Sequence, residues 1–292
     1  GPATSHRVME AAIVSSATPS GLLAGQAVLG VEVIYRESTV VSAGSRNPMK
    51  LLTPCSRGRS VWAYTSSFGG GLLAGDVTRL DVRLGPSACC FVGTQACTKV
   101  YRNPDNRPCA HVTRAQVASE AMLVFVPDAV QPFAGSTYTQ RQEFHLEPRA
   151  SLALLDWHTS GRMARGERWA FNRYSSRNDV FLGGKRVFVD SMRLDASDGA
   201  HWAGHRVGRF HCFAMLLLSG ERVREIASRL LKTVSARPIK ARGAVLCGAS
   251  PVGDGAVLRV AGEDMESVTR ELRPLMASLG ELLGDDPWSR RW

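Results

Sequence analysis

Alternation of apolar and polar residues with a period of two dominates the first two-thirds of this chain and restricts it to a fold rich in β-strands. In the segment 78–84, Leu80, Val82 and Leu84 fall on one face and charged residues fall on the other. This pattern is typical of a strand with one buried face. The segment 138–146 alternates in the same way, although its apolar face includes two glutamines.

Uninterrupted apolar runs predict a second kind of strand. The runs at 121–126, 151–155 and 187–189 are apolar except for Ser151 and are each followed by turn-forming residues. Such runs predict strands that are buried on both faces. Two further strands are predicted at 32–35 and 256–260.

Helical periodicity appears only late in the sequence. Within 221–234, an apolar stripe at helical spacing is formed by Val223, Ile226, Leu230 and Leu231. This spacing predicts an amphipathic helix with one face packed on the rest of the protein.

A second helix is predicted to begin at Glu263 and Asp264, because acidic residues stabilise a helix N-terminus. Pro274 should end or kink this helix, since proline cannot donate the intrahelical hydrogen bond. Strands followed by a pair of helices favour a mainly β fold over alternating β-α units. We therefore predict a multi-sheet, solenoid- or barrel-like β scaffold with two or so helices at about 220–284, forming a single domain over residues 1–292.

The composition excludes several classes of protein. Of 292 residues, 44% are hydrophobic and 21% are charged, which suits a packed core and argues against disorder. No apolar run approaches the roughly 20 residues of a membrane helix. The first residues lack an export signal, and Gly1-Pro2 reads as a protease-cleavage scar. Seven scattered cysteines favour free thiols in a reducing compartment, so we expect a cytoplasmic protein.

The net charge of +10 raises the question of a nucleic-acid or anionic partner. The arginines are spread singly along the chain, and aromatic residues do not interleave with them as a base-stacking surface would require. We expect a basic surface that faces solvent or a protein partner, and neither a nucleic acid nor a membrane as ligand.

The most unusual segment contains Gly69, Gly70, Gly71, Gly75 and Asp76. Its glycine spacing fits a dinucleotide-binding fingerprint, but an alternating strand follows it instead of a helix whose N–H groups would hold the phosphate. A P-loop is also excluded, since Asp76 stands where a lysine is needed. Two alternatives remain: a turn that allows close backbone approach and presents a functional carboxylate, or a tight turn with a structural capping aspartate.

A second segment of chemical interest follows the strand at 151–155. It carries Asp156, His158, Arg162 and Glu167. Two carboxylates and a histidine are the components of an acid/base site. Alternatively, Arg162 pairs with Asp156 or Glu167 as a structural ion pair, which is the commoner role for such residues.

Other candidate ligands give weak patterns. His201 and His205 have helical spacing, but Gly204 between them argues against a helix and therefore against a metal-binding pair. No Cys-x-x-Cys pair is present, so a structural zinc site is not predicted. Cys97 is by default a small packing residue. No nucleophile motif such as Gly-x-Ser-x-Gly occurs, and the residues alone indicate no enzyme.

Four groups of residues together occur in an order that resembles one known family. They are Val61-Trp62-Ala63-Tyr64 with the glycines up to Asp76; Thr94-Gln95-Ala96-Cys97-Thr98-Lys99-Val100-Tyr101; Val126-Pro127-Asp128 with Pro132-Phe133; and Asp156-Trp157 with Gly161-Arg162 and Gly166-Glu167-x-Trp169. The family is that of the urease accessory protein UreD, called UreH in some bacteria, and the similarity runs from about residue 33 to the C-terminus. The chain departs from the family at Gly93, where threonine is common, and at Cys97, where alanine or serine is usual.

This resemblance implies a non-enzymatic maturation factor with mostly β structure. Members of the family bridge apo-urease to UreF, which recruits the GTPase UreG carrying nickel. GTP hydrolysis then belongs to a partner, in agreement with the absence of a P-loop. The resemblance further implies a nickel ion in transit through an internal, water-filled channel, with no cofactor of the chain's own.

A conduit for a divalent cation needs oxygen ligands that exchange quickly, because thiolates or imidazole clusters would retain the ion. We therefore hypothesise that Asp76, Asp156 and Glu167 line or gate the nickel path, with the glycine turn permitting close approach of another backbone. Cys97 is a further candidate nickel ligand, with a packing role as the favoured alternative.

Two functions of other classes remain open at this point. A stand-alone hydrolase or lyase using Asp156, His158 and Glu167 would turn over a substrate without any urease subunit. A basic RNA-binding β protein would bind with a steep salt dependence.

Overall fold

The computed structural model describes residues 19–56, 58–198 and 207–289. Two large β-sheets and two α-helices make up most of this part of the chain, which confirms the predicted mainly β, solenoid-like scaffold. Gly1-Pro2, His201 and His205 lie outside the described residues.

Each sheet collects strands from the whole length of the chain. The first sheet contains seven strands: β1 (Gln26–Ile34), β2 (Glu37–Ser45), β6 (Val77–Leu84), β9 (Cys109–Val117), β12 (Thr137–Leu146), β14 (Arg173–Leu182) and β15 (Lys185–Asp195). The second contains eleven: β3 (Met49–Leu52), β4 (Val61–Ser67), β5 (Gly71–Leu72), β7 (Cys89–Thr94), β8 (Thr98–Val100), β10 (Met122–Phe125), β11 (Val130–Pro132), β13 (Ser151–Thr159), β16 (Cys212–Ser219), β17 (Val245–Val252) and β18 (Gly255–Gly262).

The two sheets are built as stacked coils of the chain. Between β4 and β14 the chain passes repeatedly from one sheet to the other, so that neighbouring strands in each sheet run parallel: β6, β9, β12 and β14 in the first, and β4, β7, β10 and β13 in the second. Strands of the opposite sheet therefore act as the crossover connections that helices provide in α/β folds. Antiparallel pairs close the sheets, with order β15-β14-β12-β9-β6-β1-β2 in the first and β17-β18-β16-β13-β10-β7-β4-β3 in the second.

Alternation along the strands places the main core between the sheets. In β6, Leu80, Val82 and Leu84 are buried while the intervening charged residues face outward, and β12 alternates as predicted. Phe144 of the first sheet and Phe125 of the second meet in this core, with ring centroids 5.3 Å apart, and Leu154 belongs to the same cluster. The strands β10 and β13, predicted to be buried on both faces, also contribute to a second core between the second sheet and the helices.

The helices cover the outer face of the second sheet. The first, α1 (Arg224–Ser235), follows a 3-10 turn at Glu221–Val223, and the second, α2 (Met265–Leu283), begins with Asp264 as its N-cap. Pro274 was predicted to end or kink the second helix, and the first of these two outcomes is wrong, since the helix continues to Leu283. Pro274 is exposed, so water reaches the carbonyl that loses its partner, while buried residues on both sides hold the helix to the sheet.

The run at 187–189 is a strand, as predicted, but its predicted burial is wrong. Val187 and Val189 are 42% and 47% exposed. They belong to the edge strand β15, where Val189 stands opposite Asp179 on the face turned away from the second sheet. The strand predicted at 32–35 is the end of β1, which stops at Ile34.

None of the helices in the described ranges is both long enough and apolar enough to span a bilayer. All seven cysteines lie in these ranges and carry free thiols, as predicted.

Candidate functional site

The inner face of the first sheet changes from apolar to polar along its parallel strands. Because these strands pair in register, equivalent positions of successive coils form rows across the sheet. Two of these rows contain polar side chains that are almost all buried. We call them the polar ladder, which consists of Thr78, His111, Gln140 and Ser176 in one row and Thr113, Gln142 and Asn178 in the next.

Hydrogen bonds link neighbouring members of the polar ladder. Gln140 Nε2 donates to Ser176 Oγ at 3.1 Å, and Gln142 Nε2 donates to Asn178 Oδ1 at 2.8 Å. The ring nitrogens of His111 lie 2.8 Å from Thr78 Oγ1 and 2.9 Å from Thr113 Oγ1.

Burial lowers the pKa of His111 to about 4, so its imidazole is neutral at pH 7. The polar ladder is thus an uncharged, hydrogen-bonded layer inside the protein.

Asp156 brings a carboxylate to this layer from the second sheet. It lies on β13, in a part of the strand that faces the first sheet, and it accepts hydrogen bonds from Gln140 Nε2 at 3.1 Å, Ser176 Oγ at 2.6 Å and Asn178 Nδ2 at 2.8 Å. Within the described ranges Asp156 forms no ion pair. Desolvation raises the pKa of Asp156 against the opposing effect of these hydrogen bonds, and the nearby charge of Asp190 adds to the rise.

A first cavity of about 310 Å³ lies between the sheets on one side of Asp156. Its inner wall contains Asp156, Gln140 and Gln142, and exposed Lys50 and Gln95 stand at its opening. Its polar lining also includes Thr65, Ser66, Ser67, Thr94, Thr98, His111 and Asp128.

Asp128 is a second carboxylate in the first cavity. It is 7% exposed, and its carboxylate accepts a hydrogen bond from Thr94 Oγ1 at 3.3 Å, while the Asp128 backbone N–H donates to the same hydroxyl at 2.8 Å. The short segment between β10 and β11 holds it there.

A second cavity of about 410 Å³ lies on the other side of Asp156. Asp190 on β15 and Arg259 on β18 join the two sheets across it through an ion pair of 2.7 Å. The rest of its lining is largely apolar and includes Met192, Phe213 and Leu246. Leu246 is 46% exposed, and the cavity therefore opens beside the last strands of the second sheet.

Asp156 borders both cavities, and so it stands at their junction. The openings are far apart in strand order, since Lys50 belongs to β3 at one end of the second sheet and Leu246 to β17 at the other. From the first cavity to the second, the carboxylates therefore follow the spatial order Asp128, Asp156 and Asp190.

His158 lies on the same face of β13 as Asp156 and lines the second cavity. It is 3% exposed and stacks on Tyr174, with ring centroids 4.3 Å apart. Burial lowers its pKa to about 3, and its Nε2 has no hydrogen-bond partner among the described residues. A neutral imidazole between aromatic rings is typical of a packing residue.

Asp76 lies outside both cavities. Its carboxylate accepts a hydrogen bond from the Leu73 backbone N–H at 2.8 Å and caps the turn that contains Gly75. The predicted close approach of another backbone occurs at Gly71, where a Cβ would lie 2.8 Å from the Lys99 carbonyl oxygen. The structure thus contains both features of the glycine segment, a capped turn and a close contact.

Glu167 also lies outside both cavities. It pairs with Arg162, for which the sequence allowed either Asp156 or Glu167 as the partner. The hydrogen bonds from Arg162 hold the pKa of Glu167 below its usual range. The Arg162 guanidinium in turn stacks over Phe133 at 4.1 Å. Because Glu167 is absent from the cavity that Asp156 and His158 share, the structure does not assemble the predicted acid/base set of these three residues.

Cys97 is half-buried at the first cavity, with its Sγ 3.9 Å from Met265 Sδ. It packs against the core under the helices. Within the described ranges, no group of three or more histidine, cysteine, aspartate or glutamate side chains is placed to hold a metal ion.

Sequence reasoning did not select Asp128, Asp190 or the polar ladder as functional. The signal for the ladder was present in the glutamines at 140 and 142, which share the apolar face of an alternating strand. Its other rungs required the in-register pairing of β6, β9 and β14, which the sequence does not reveal.

Comparisons with known proteins give one answer. Residues 24–292 match the family model described as "UreD urease accessory protein". A curated relative named "Urease accessory protein UreD" from Sorangium cellulosum is 43% identical over 273 residues, covering 92% of this chain and 86% of the relative. Proteins named "Urease accessory protein D" from Oryza sativa subsp. japonica and Arabidopsis thaliana are each 31% identical, over 96% and 89% of this chain and 98% of each relative. The chain therefore belongs to the UreD urease accessory protein family.

Proposed function

We propose that this chain is a non-catalytic urease maturation factor that bridges apo-urease to UreF and the GTPase UreG, and that it conducts nickel ions toward the urease active site. Membership of a family whose curated relatives are named urease accessory proteins supports the maturation role. The observation that carries the conduction step is the position of Asp156 at the junction of the two cavities.

The environment of Asp156 suits a transient cation site. Among the described residues, its oxygens accept hydrogen bonds only from neutral amide and hydroxyl groups, so an arriving cation does not have to displace an arginine or lysine of this part of the chain. A buried carboxylate without a cationic partner is costly, and a passing divalent ion would offset that cost. A single carboxylate with neutral oxygen neighbours holds such an ion more loosely than thiolates would.

Asp128 places a second carboxylate in the first cavity, whereas Asp190 in the second cavity is paired with Arg259, which a cation leaving Asp156 would have to displace. Each lies in only one of the cavities, on either side of Asp156. We infer an ion path in which a hydrated nickel ion meets one carboxylate at a time, so that it is attracted inward without being trapped by several at once.

The test is a reconstituted maturation reaction with apo-urease, UreF, UreG, GTP and nickel, using Asp156→Asn. Asparagine keeps the size of the side chain but removes its charge. The variant should still copurify with its partners, and nickel counted in urease should fall to near the level reached without this chain. The matched control is Asp81→Asn, which changes a carboxylate on the outer face of the first sheet and should leave nickel delivery intact.

Full nickel loading by Asp156→Asn would remove Asp156 from the path while leaving the scaffold role standing. Loss of copurification in both variants would instead indicate a folding defect. Turnover of a substrate by the chain without urease subunits would contradict the non-catalytic role.

Asp76 and Glu167 remain candidate gating residues on loops outside the cavities. Replacing either with lysine should leave the complex assembled but block urease activation, because a cation would meet a positive charge. Full activation by one of these variants would remove that residue from the path.

Cys97 is proposed to pack and not to bind nickel. The Cys97→Ser variant should therefore bind as much nickel as the unmodified chain in equilibrium dialysis. A lower nickel stoichiometry would restore Cys97 as a ligand.

A further inference from the structure

The edge strands of the two sheets differ in how well they are protected against pairing with another chain. Within the described ranges, β2 and β15 form the edges of the first sheet, and β3 and β17 are the end strands of the second. Register shifts occur where β2 and β15 pair with their neighbours, and β3 is only four residues long. Bulges and short strands are two of the devices by which proteins prevent an edge from pairing with another chain.

The strand β17 has neither device. It pairs with β18 without a register shift from Val245 to Val252, and none of its eight residues is charged. Pro251 lacks a backbone N–H, but it removes a hydrogen-bond donor only near the C-terminal end of this strand. Among the described residues β17 pairs with β18 alone, so its other edge presents unpaired backbone N–H and C=O groups.

Cavities lie on both faces of this edge. Leu246 and Gly248 border the second cavity, between the sheets. Cys247 also borders a third cavity of about 200 Å³, between the two helices, which Leu230 and Leu275 help to line. Side chains of an added strand would alternate between these two faces. Backbone pairing combined with side-chain cavities is the arrangement by which sheet edges recognise extended peptides.

The charge beside β17 indicates the composition of such a peptide. The segment 236–244, which leads into β17, contains Arg237, Lys240 and Arg242 and no acidic residue. Arg237 pairs with Glu271 at 2.6 Å. Lys240 and Arg242 are exposed, and neither forms an ion pair with an acid in the described part of the chain. An acidic segment would therefore be complementary to this surface.

We propose that β17 and the segment 236–244 form a docking site for an acidic, extended segment of a partner protein, which adds a strand to the second sheet. The site borders the second cavity, but it rests on the strand edge and its charge, and it would remain if the conduction proposal failed.

The probe is a fluorescein-labelled peptide of alternating glutamate and valine, titrated with the full chain and followed by fluorescence anisotropy. The peptide should bind, and a lysine-valine peptide should not. In the double variant Lys240→Glu/Arg242→Glu, the affinity for the acidic peptide should fall by about tenfold or more. The matched control is Arg141→Glu/Lys185→Glu on the first sheet, which reverses two exposed charges away from β17 and should leave the affinity within about twofold.

Backbone pairing is tested with two N-methylated forms of the peptide, methylated on alternate residues of opposite parity. Only one set of N–H groups faces β17, so one form should lose binding and the other should retain it. Absence of binding, an equal loss in both double variants, or equal binding of the two methylated forms would overturn the proposal. A concentration-dependent dimer that the peptide does not dissociate would also overturn it, because a second copy of the chain would then occupy the edge.

Discussion

Exchanging Asp156 for asparagine removes a buried charge while preserving the size of the side chain, and the surrounding hydrogen bonds allow its effect on stability to be worked out. In the native protein Asp156 Oδ2 accepts from Ser176 and Asn178, and Oδ1 accepts from Gln140. Asparagine can keep its carbonyl oxygen toward Ser176 and Asn178. Its amide group must then face the amide of Gln140, which is itself held by a hydrogen bond from Tyr138 at 2.8 Å.

This donor–donor contact should cost about 1–3 kcal/mol, the usual penalty for leaving a buried polar group unsatisfied. An opposing gain comes from removing a charge that burial disfavours. Because burial raises the native pKa of Asp156 above the ordinary value of 3.8, the folded protein binds this proton more tightly than the unfolded chain does. The native protein therefore loses stability as the pH rises from 3.8 to the raised pKa, by up to about 1.4 kcal/mol per pH unit.

The Asp156→Asn variant has no such proton. Its free energy of unfolding should therefore fall furthest below that of the native protein near pH 4, and the difference should shrink as the pH rises. The measurement is the free energy of unfolding in urea for both proteins between pH 4 and pH 8, taken as a difference so that other titrating groups cancel. A difference that stays constant over this range would refute the argument that burial raises the Asp156 pKa.

The control Asp81→Asn should show a different dependence on pH. Burial opposes ionisation of Asp81, but the hydrogen bonds from Arg79 and Gln26 outweigh it and lower the pKa of Asp81. The Asp81 carboxylate therefore stabilises the fold above pH 3.8 and loses that contribution as the pH falls. This loss falls below pH 3.8, so between pH 4 and pH 8 the difference for Asp81→Asn should stay nearly constant while that for Asp156→Asn shrinks. That contrast would separate the two environments from any general effect of the substitution.

Three further predictions concern stability and are measured by urea unfolding. The native pKa values of about 4 for His111 and about 3 for His158 lie below the ordinary 6.5, so the unfolded chain gains these protons first as the pH falls. Each histidine should therefore lower the free energy of unfolding by about 2 kcal/mol between pH 7 and pH 5. A His158→Phe variant should lose less stability over this range, and an equal loss would contradict the lowered pKa of His158. Leu154→Ala in the main core should cost about 2–5 kcal/mol, and a cost below 1 kcal/mol would mean that the sheets repack around it. Asp264→Ala removes the hydrogen bond to the Ser267 N–H at 2.7 Å and should cost about 1 kcal/mol, whereas an Asp264→Ser change should cost less.

The strands could be predicted because alternation is a local property. Leu80, Val82 and Leu84 of β6 face inward and most outward residues are charged, so the sequence determines the buried face without knowledge of the neighbours. The run at 187–189 has no outward polar residue, and only its place at a sheet edge leaves Val187 and Val189 exposed. Pro274 shows the same limit, because tertiary contacts on both sides of it maintain the helix.

The candidate site was less predictable for the same reason. Asp156 could be selected because it follows a buried strand, and Arg162 with Glu167 could be proposed as a pair because they are close in sequence. Asp190 meets Asp156 only through the packing of β15 over the second sheet. Contacts between residues this distant in sequence depend on the order of strands, which local patterns do not specify.

Parallel, in-register strands explain how the space between the two sheets contains both a dry core and a polar layer. Moving along β12, the inward side chains change from Gln140 and Gln142 to Phe144 and Leu146. Because β9 and β14 change at corresponding positions, the boundary runs straight across the sheet instead of leaving polar groups scattered in the core. Neighbouring strands are about 4.8 Å apart. A hydrated ion moving along such a row would meet a new oxygen or amide group at each strand, a spacing short enough for ligands to be exchanged one at a time.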